Sequence, residues 1–386
     1  MPFDVDFTVS LAGGLLRAAE SLCEASPFLV CGLIVAATFR RLVGHAGVRT
    51  LFGDGTRTGL LRAWAVGMLL PVDALGVLPV AREMRRAGLR GGTILAFALS
   101  APLFNPLSLL YGLTLSDPAA VLAFGFGSLL VVTGAGFAWD RLFPETAEAE
   151  DPPPAPVAVG IKRLIAVAVA GGREAAGGTV PLVLAALVGP FLLGAVLPKG
   201  VLGTAVNGGN PLAPLLTTAV AIPAYASPMA AMGTVGSMFQ HGNSVGAAFA
   251  MLALGAGTTF GLIIWAWRSY GPLRAAVMFA AIVAVTLGLS YGIDRPLRAD
   301  GADEGGHTHA FDRYTAPFSA KAAPDALWTA TWNELDPQVH ETFALIALAA
   351  TIAFGVAVRL LGGRLGLDDW LVEDGATKDE VRAGCY

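Results

Sequence analysis

A single carboxylate lies in a stretch of this sequence that is otherwise apolar and broken by prolines. Asp73 stands in "LLPVDALGVLPV" (69–80), between Pro71 and Pro79, directly after the apolar run "LLRAWAVGM". An aspartate at the centre of a membrane helix costs about 2.5–3.5 kcal/mol on insertion scales, so a protein retains one for a proton, an ion or a buried partner. The same carboxylate could cap the following half-helix by accepting backbone N–H groups. We expect Asp73 to serve a proton or an ion, and capping is compatible with that role.

Three further stretches interrupt apolar segments in the same way: "APLFNP" (101–106), "IPAYASP" (222–228) and "GAGTT" (255–259). Non-helical backbone at membrane depth is tolerated only where protein or a water-filled cavity surrounds it. A cavity is therefore expected where the four stretches meet. The candidate residues for binding a substrate or ion there are Asp73, Asn105, Ser108, Tyr225, Ser227, Thr258 and Thr259. The expected structural breaks are Pro71, Gly76, Pro79, Pro102, Pro106, Pro223 and Pro228. A purely structural role is the alternative for each polar residue in this set.

The composition is that of an integral membrane protein. The 386 residues are 55% hydrophobic and only 14% charged, whereas soluble domains carry roughly 25% charged residues. A net charge of −4 gives no indication of a nucleic-acid partner. The sequence contains no HExxH, no GxSxG with partners and no Walker loop, so we expect no enzyme activity, no cofactor and no metal site.

The two halves of the chain resemble each other. When "LLPVDALGVLPVAREMRR" is set beside "AIPAYASPMAAMG", Pro71 aligns with Pro223, and each half reads as a span, a Pro-broken segment, an interrupted span and another span. Internal repeats of this kind are the usual build of secondary transporters. The expected units are a first transmembrane repeat (1–143), an acidic Pro-rich cytoplasmic linker (144–160), a second repeat (161–293), an external polar loop (294–337), a C-terminal transmembrane helix (338–363) and a cytoplasmic tail (364–386).

Arginine placement predicts the topology. One arginine cluster lies between residues 40 and 62, and a second lies between residues 82 and 90. Both clusters are expected in the cytoplasm, which requires residues 63–81 to enter and leave the membrane on one side as a re-entrant hairpin. The result is an external amino terminus, a cytoplasmic carboxyl terminus, about seven crossings and an inverted second half. Counting each broken segment as a crossing gives about nine and places the second cluster outside.

The second cluster contains Arg82, Glu83, Arg85 and Arg86. We expect these side chains to form a solvated cytoplasmic edge, with a gate as the alternative. The acidic start "MPFDVDFTVS" does not read as a cleavable signal peptide.

These stretches resemble the ArsP/YraQ type of bacterial predicted permease, across roughly residues 15–295. That family shows a Pro–x–Cys–Ser–Cys–Gly–Val–x–Pro stretch, a short basic turn and an "AP…NP" break. The positions retained here are Pro71, Gly76, Val77, Pro79, Gly88, Pro102, Asn105 and Pro106. Asp73 and Leu75 stand where the family has cysteines. The resemblance implies the fold and a permease function. Some members export trivalent organoarsenicals, but thiolates bind such soft species, and that substrate is not assigned.

The sequence therefore predicts an all-α, polytopic bundle of two inverted repeats, each with a Pro-broken re-entrant hairpin, plus a C-terminal transmembrane helix. We expect a multi-pass permease of a bacterial inner membrane that moves a small molecule or ion, with Asp73 as a candidate for proton coupling. One alternative is a passive channel lined by the two hairpins. Another is a non-catalytic membrane subunit of a larger complex. The expected partners are the lipid bilayer and the solute, and a homo-oligomer or partner subunit is left open.

Overall fold

The computed structural model describes residues 7–53, 56, 58–103, 106–115, 118–144, 160–294, 296–297, 311–319, 322 and 324–371. The helices of the first half are α1 (Phe7–Thr38), α2 (Gly44–Phe52), α3 (Gly59–Leu69), α4 (Val77–Arg86), α5 (Gly91–Ser100), α6 (Pro106–Leu115) and α7 (Pro118–Leu142). Those of the second half are α8 (Ile161–Ala175), α9 (Val180–Val196), α10 (Val201–Ala205), α11 (Ala213–Ala221), α12 (Pro228–Gln240), α13 (Val245–Ala250), α14 (Phe260–Tyr270) and α15 (Pro272–Asp294). The last three are α16 (Pro324–Glu334), α17 (Val339–Leu361) and α18 (Leu367–Leu371).

Several of these helices are long and apolar enough to cross a membrane. Within the described residues, 4 spans meet that test: Phe7–Phe52, α7, α15 and α17. The bent pairs α8–α9 (51°) and Val245–Ala256 with α14 (57°) raise the number to 6 if each pair is one span. The apolar stretch 91–113 is divided into α5 and α6, and residues 104 and 105 between them lie outside the described part of the chain. The predicted all-α, polytopic membrane architecture is confirmed.

The first half contains a hairpin made of α3 and α4. At its base, the start of α3 and the end of α4 both lie against α2 or the residue that follows it. Gly59 at the start of α3 lies against the carbonyl of Gly53, which follows α2. Arg49 of α2 donates from Nη1 to the carbonyl oxygen of Ala87, directly after α4, at 3.4 Å. Between the two helices, the tip formed by residues 70–76 is non-helical. The chain therefore turns at Asp73 and returns to the end of the molecule from which it came.

The second half contains a corresponding hairpin made of α11 and α12. Its base is closed by an antiparallel bridge between Asn207 and Asn243 and by a bond from the Ser244 N–H to the Val206 carbonyl at 3.0 Å. Its tip, formed by residues 222–227, is also non-helical.

The two hairpins start from opposite ends of the molecule. The first follows the end of α1, and the second follows the end of α9. α1 and the α8–α9 pair run antiparallel, because Gly13 packs against Gly194 whereas Ala37 packs against Gly171. The end of the molecule at the start of α1 is called the outer end below, and the end at Arg40 is called the inner end.

One aspartate in each half makes the same hydrogen bond, as an internal repeat predicts. Oδ1 of Asp140, in the last turn of α7, accepts the N–H of Gly92 at 2.9 Å. Oδ1 of Asp294, at the end of α15, accepts the N–H of Gly246 at 2.9 Å. In each half the last helix thus caps the start of the interrupted segment, α5 or α13. The orphan N–H groups of a helix start need such acceptors, and both halves meet that need at the same place.

Close backbone contact holds the first hairpin against α1. A Cβ placed on Gly32 would overlap the carbonyl oxygen of Gly76, and a Cβ on Gly76 would overlap the carbonyl oxygen of Phe28. Small residues at helix crossings allow this approach in membranes. The non-helical tip is therefore buried in protein, as the predicted cavity position requires.

The expected breaks divide into two groups. Pro71, Gly76, Pro102 and Pro223 lie in non-helical stretches. Pro106 and Pro228 are instead the first residues of α6 and α12, and Pro79 lies in the first turn of α4. Proline is accepted there because the N–H groups of a first turn have no helical partner. These three prolines therefore lie at the starts of the helices that follow the interruptions.

Candidate functional site

The tips of the two hairpins meet at Asp73. Its Oδ1 atom accepts the backbone N–H groups of Leu75 at 3.0 Å and Gly76 at 2.5 Å. Its Oδ2 atom accepts the hydroxyl of Tyr225, which comes from the tip of the other hairpin. The carboxyl is completely buried. Asp73 thus holds the turn that leads into α4 and also joins the two halves of the molecule.

Asp73 has no cationic partner within the described part of the chain. Its polar contacts there are two amides and one hydroxyl, and none of the ion pairs includes it. A buried carboxylate without a cation depends for its charge on such donors and on the dipole of the helix that follows the turn. A change in any one donor therefore changes how readily the group holds a proton. The chemistry available at the tips is reversible proton binding by an oxygen acid.

A cleft of about 710 Å³ opens at the outer end above the tips. Its lining includes the carboxylates of Glu20, Glu24 and Glu341 and the guanidinium groups of Arg17 and Arg313. Carboxylates outnumber arginines among these groups, so the cleft has a net negative charge and favours cations.

Glu24 closes the bottom of this cleft. Its Oε1 atom accepts the hydroxyl of Ser227 and, at 3.2 Å, the N–H of the same residue. Its Oε2 atom accepts Arg313 in an ion pair. These contacts join α1, the second hairpin and residues 311–319, and they are called the outer latch below.

Residues 311–319 are packed onto the outer end rather than projecting from it. Arg17 donates from Nε to the Thr315 carbonyl at 2.9 Å and from Nη2 to the Asp312 carbonyl at 2.8 Å. The N–H of Ala316 donates to the Leu197 carbonyl at 2.7 Å. Tyr314 is buried beneath this segment, and burial raises the pKa of its phenol, so the side chain stays neutral.

A small cavity of about 20 Å³ lies between the outer latch and the tips. Glu24, Tyr225, Arg313 and Tyr314 are among its lining residues, and its volume is close to that needed for one water molecule. Tyr225 therefore faces this cavity on one side and Asp73 on the other. We expected Asp73 itself to face the cavity, but it is absent from the lining of the cavities described here.

A second ionic cluster closes the inner end, and it is called the inner latch. Glu174, at the end of α8, accepts Arg82 at 2.5 Å and Arg86 at 3.1 Å. Glu83 pairs with Arg86 at 3.3 Å and with Arg40 at 3.5 Å. Glu83 is only 2% exposed. The expectation that Arg82, Glu83 and Arg86 form a solvated edge is therefore wrong, because these groups join α4 of the first half to α8 of the second.

The comparison with known proteins matches this architecture to a family. A family described as "Predicted permease" (ArsP_1) matches residues 16–293, a range that contains both hairpins, both interrupted segments and all but the last residue of α15. The chain belongs to the ArsP_1 permease family.

One curated relative shows the same affiliation at lower coverage. The UPF0718 protein YcgR of Bacillus subtilis (strain 168) is 27% identical to this ArsP_1 permease over 88 residues, which are 23% of this chain. The chain spans only 30% of the length of that relative. No solved structure matches the chain. The predicted resemblance is confirmed, and membership supports a membrane permease function.

Only some of the candidate residues of this ArsP_1 permease lie close together in the structure. Asp73, Tyr225 and Ser227 lie at or beside the meeting tips. The Thr258 hydroxyl donates to the Leu254 carbonyl at 2.7 Å, and Thr259 accepts the N–H of Leu262 at 3.3 Å as the cap of α14. These bonds match the purely structural role that the sequence left open as the alternative for both threonines. Ser108 is buried in α6, and Asn105 lies outside the described residues.

Sequence reasoning missed both latches of the permease. Glu24 and Arg313 are separated by 289 residues, and Glu174 and Arg82 by 92. A local signal existed for each carboxylate, since Glu24 precedes a long apolar run and Glu174 lies in the small-residue stretch "AGGREAAGG". Arg82 and Arg86 had already been named as part of a basic cluster, whereas Arg313 carried no local signal.

Proposed function

We propose that this protein is a proton-coupled permease for a small solute, in which Asp73 binds the transported proton where the two halves meet. The observation that carries the proposal is the position of Asp73. It is a fully buried carboxyl at the junction of two inverted hairpins, bonded to Tyr225 of the other half and without a cationic partner among the described residues. Intramembrane acids of this kind mark proton relays in transporters.

Protonation of Asp73 changes the strength of the contact between the halves. Hydrogen bonds to an ionised acceptor are roughly twice as strong as neutral ones. The Tyr225 hydroxyl therefore holds the ionised form of Asp73 more tightly than the protonated form. Loading a proton makes separation of the two tips easier, and this links proton binding to the movement of one repeat against the other.

The two latches support alternating access. The outer latch joins α1 to the second hairpin, and the inner latch joins α4 to α8, so both connect parts that would move apart. In inverted-repeat transporters one repeat rocks against the other around a fixed central site. With both latches closed, the structure represents an occluded arrangement. A cycle would open the outer latch to admit solute from the cleft and the inner latch to release it.

The chemistry of the tips limits the solute classes. Asp73 and Tyr225 offer oxygen ligands, which suit protons, hard cations and hydrogen-bond donors rather than the soft species that thiolates bind. We place the protein in the bacterial inner membrane, with the outer cleft facing outward and the inner latch facing the cytoplasm. That orientation follows the arginine clusters at the inner end.

The test is proton flux into proteoliposomes that contain a trapped pH-sensitive dye. Panels of amino acids, alkylammonium ions and carboxylates are supplied under an imposed pH gradient, and wild type is compared with Asp73→Asn. Asp140→Asn is the matched control, because Asp140 also accepts a backbone N–H near a helix start but lies away from the tips. We expect solute-dependent proton movement in wild type and Asp140→Asn and none in Asp73→Asn. Solute flux without protons that is equal in all three proteins would establish the passive channel instead.

A further inference from the structure

We infer that Tyr225 is a proton relay between the outer cavity and Asp73, with Glu24 as the carboxylate at the entrance of the path. This inference rests on the proposed proton-binding role of Asp73 and names the route by which the proton arrives. The observation that carries it is the double position of Tyr225, whose side chain lines the small outer cavity and whose hydroxyl donates to Asp73 Oδ2.

The other donors to Asp73 cannot serve as relays. They are the backbone N–H groups of Leu75 and Gly76, within the same hairpin. An amide N–H donates a hydrogen bond but does not exchange its proton on the time scale of transport. Among the described contacts of Asp73, the Tyr225 hydroxyl is therefore the side-chain group through which a proton can pass, since a hydroxyl both donates and accepts.

The transfer step moves two protons and leaves the hydroxyl unchanged. Tyr225 gives its own proton to Oδ2 of the ionised Asp73 as its oxygen accepts a proton from the cavity side. One O–H bond breaks at the donor, a protonated water on the cavity side. At Tyr225 one O–H bond breaks and one forms, and at Asp73 one forms, so the net result is one proton moved from the cavity to the carboxyl. Rotation of the hydroxyl back toward Asp73 resets the relay when that carboxyl has lost its proton.

Glu24 places a negative charge at the entrance of the path, where it attracts protons from the cleft. Its carboxylate lines both the outer cleft and the small cavity, so it is shared between outside water and the path to Tyr225. The charged and titratable groups that face this path are Arg17, Glu20 and Glu24 from α1 and Arg313 and Tyr314 from residues 311–319. The Cys31 thiol of α1 also lies within electrostatic range of Asp73.

The test needs no transported solute, because the probe is the proton itself. The full chain is placed in lipid nanodiscs, and infrared difference spectra record the carbonyl stretch of a protonated carboxyl after a rapid step from alkaline to acidic buffer. Loss of the band in Asp73→Asn assigns it to Asp73. The rate at which the band appears is then compared among wild type, Tyr225→Phe, Glu24→Gln and Tyr314→Phe.

Tyr314→Phe is the matched control for Tyr225→Phe. Both substitutions remove one phenolic hydroxyl from a buried ring that lines the same cavity, but only Tyr225 bonds to Asp73. Because Tyr225→Phe also shifts the pH at which Asp73 titrates, rates are compared at pH values that give equal final protonation. Thermal unfolding of each variant checks that it is folded.

We expect Tyr225→Phe to slow the protonation of Asp73 by about 10²-fold or more, the range by which a positioned proton-transfer group accelerates reactions. Glu24→Gln slows it less, and Tyr314→Phe leaves the rate at that of wild type. An unchanged rate in Tyr225→Phe, or an equal slowing in Tyr314→Phe, overturns the relay while leaving Asp73 as the proton site. Identical spectra for wild type and Asp73→Asn would show that Asp73 takes no proton, and the proposed function would fail with the relay.

Discussion

The hydroxyl of Tyr225 donates a hydrogen bond to Asp73 Oδ2, and these two residues occupy equivalent positions of the internal repeat. Each stands two positions after a proline of its hairpin tip, Pro71 or Pro223. The two halves therefore touch each other at the same point of their own sequences. A contact of this kind lies near the axis that relates the repeats, where rocking of one half displaces groups least. Weakening of this contact by protonation of Asp73 would therefore loosen the junction about which the two halves move.

The Asp73–Tyr225 bond should be measurable as a coupling energy. Tyr225→Phe leaves Oδ2 of a buried carboxyl without its donor, and we expect a loss of about 1–3 kcal/mol in unfolding free energy. The same substitution should cost much less in an Asp73→Ala background, because the acceptor is already gone. Thermal or denaturant unfolding of the four proteins in detergent closes the double-mutant cycle. Equal costs in the two backgrounds would show that the bond contributes nothing.

Thiol labelling can test whether the two hairpins enter the membrane from opposite sides. In a background without Cys23, Cys31 and Cys385, we introduce Arg90→Cys beside the base of the first hairpin or Gln240→Cys beside the base of the second. A charged, impermeant thiol reagent added outside intact cells should label position 240 but not position 90. After the membrane is permeabilised, both should react. Labelling of position 90 from outside would contradict the inverted, re-entrant arrangement.

Gly32 should not tolerate a side chain. A methyl group there overlaps the Gly76 carbonyl, so Gly32→Ala must shift backbone against backbone. Overpacking of this kind costs roughly 1–3 kcal/mol, and we expect a lower unfolding temperature and less folded protein. Gly125→Ala in α7 is the control, because a Cβ at Gly125 meets nothing within 4 Å. That change should be neutral or stabilising by up to about 1 kcal/mol. Equal behaviour of the two variants would contradict the close contact between α1 and the tip.

Loss of the inner latch should expose the inner end. Glu174→Gln removes the carboxylate shared by the half-buried Arg82 and Arg86, which leaves Glu83 to pair with Arg86 and weakens the contact between α4 and α8. A cysteine at Ala37, which lines the small inner cavity beside this cluster, reports the opening. We expect its labelling from the cytoplasmic side to become several-fold faster. Glu20→Gln, which breaks an arginine pair at the outer end, should leave that rate unchanged. Faster labelling in both variants would indicate general loosening.

The internal repeat predicts that the capping aspartates of the two halves contribute equally to stability. Asp140 and Asp294 make the same bond to Gly92 and Gly246, so Asp140→Ala and Asp294→Ala should each cost about 1 kcal/mol of unfolding free energy, as helix caps do. Asparagine at either position keeps an acceptor oxygen and should recover most of the loss. Unfolding curves of the four variants give the comparison. A large difference between the two alanine variants would show that the halves do not share this role.

Much of the fold could be predicted because its signals are local. Apolar length predicts which segments span, and proline in an apolar run predicts where a helix is interrupted. Pro79 shows the limit of that rule. A proline in a first turn is indistinguishable in sequence from one in the middle of a helix until the start of the helix is known, and here α4 begins two residues earlier.

The candidate site was predicted in part for the same reason. Asp73 stood out as a lone carboxylate in an apolar stretch, and Tyr225 was a candidate because it lies in the interrupted stretch "IPAYASP". The direct bond between the two residues could not be predicted, because an alignment of two repeats does not say how closely their equivalent points approach. The threonines at 258 and 259 bond to their own backbone, which a hydroxyl at a break does as readily as it binds a solute, and their binding role stays a prediction.

By itself, the sequence determined that this chain enters a membrane, that it is built from two related halves, and that each half is interrupted near its middle. Those properties depend on hydrophobicity and on backbone groups that proline removes, both of which act within a few residues. Only the tertiary structure decided which charged groups pair. Glu24 meets Arg313 across 289 residues, and Glu174 meets Arg86 across 88. Such pairs depend on how two whole halves pack, because a buried charge is stable only beside the partner that packing brings to it.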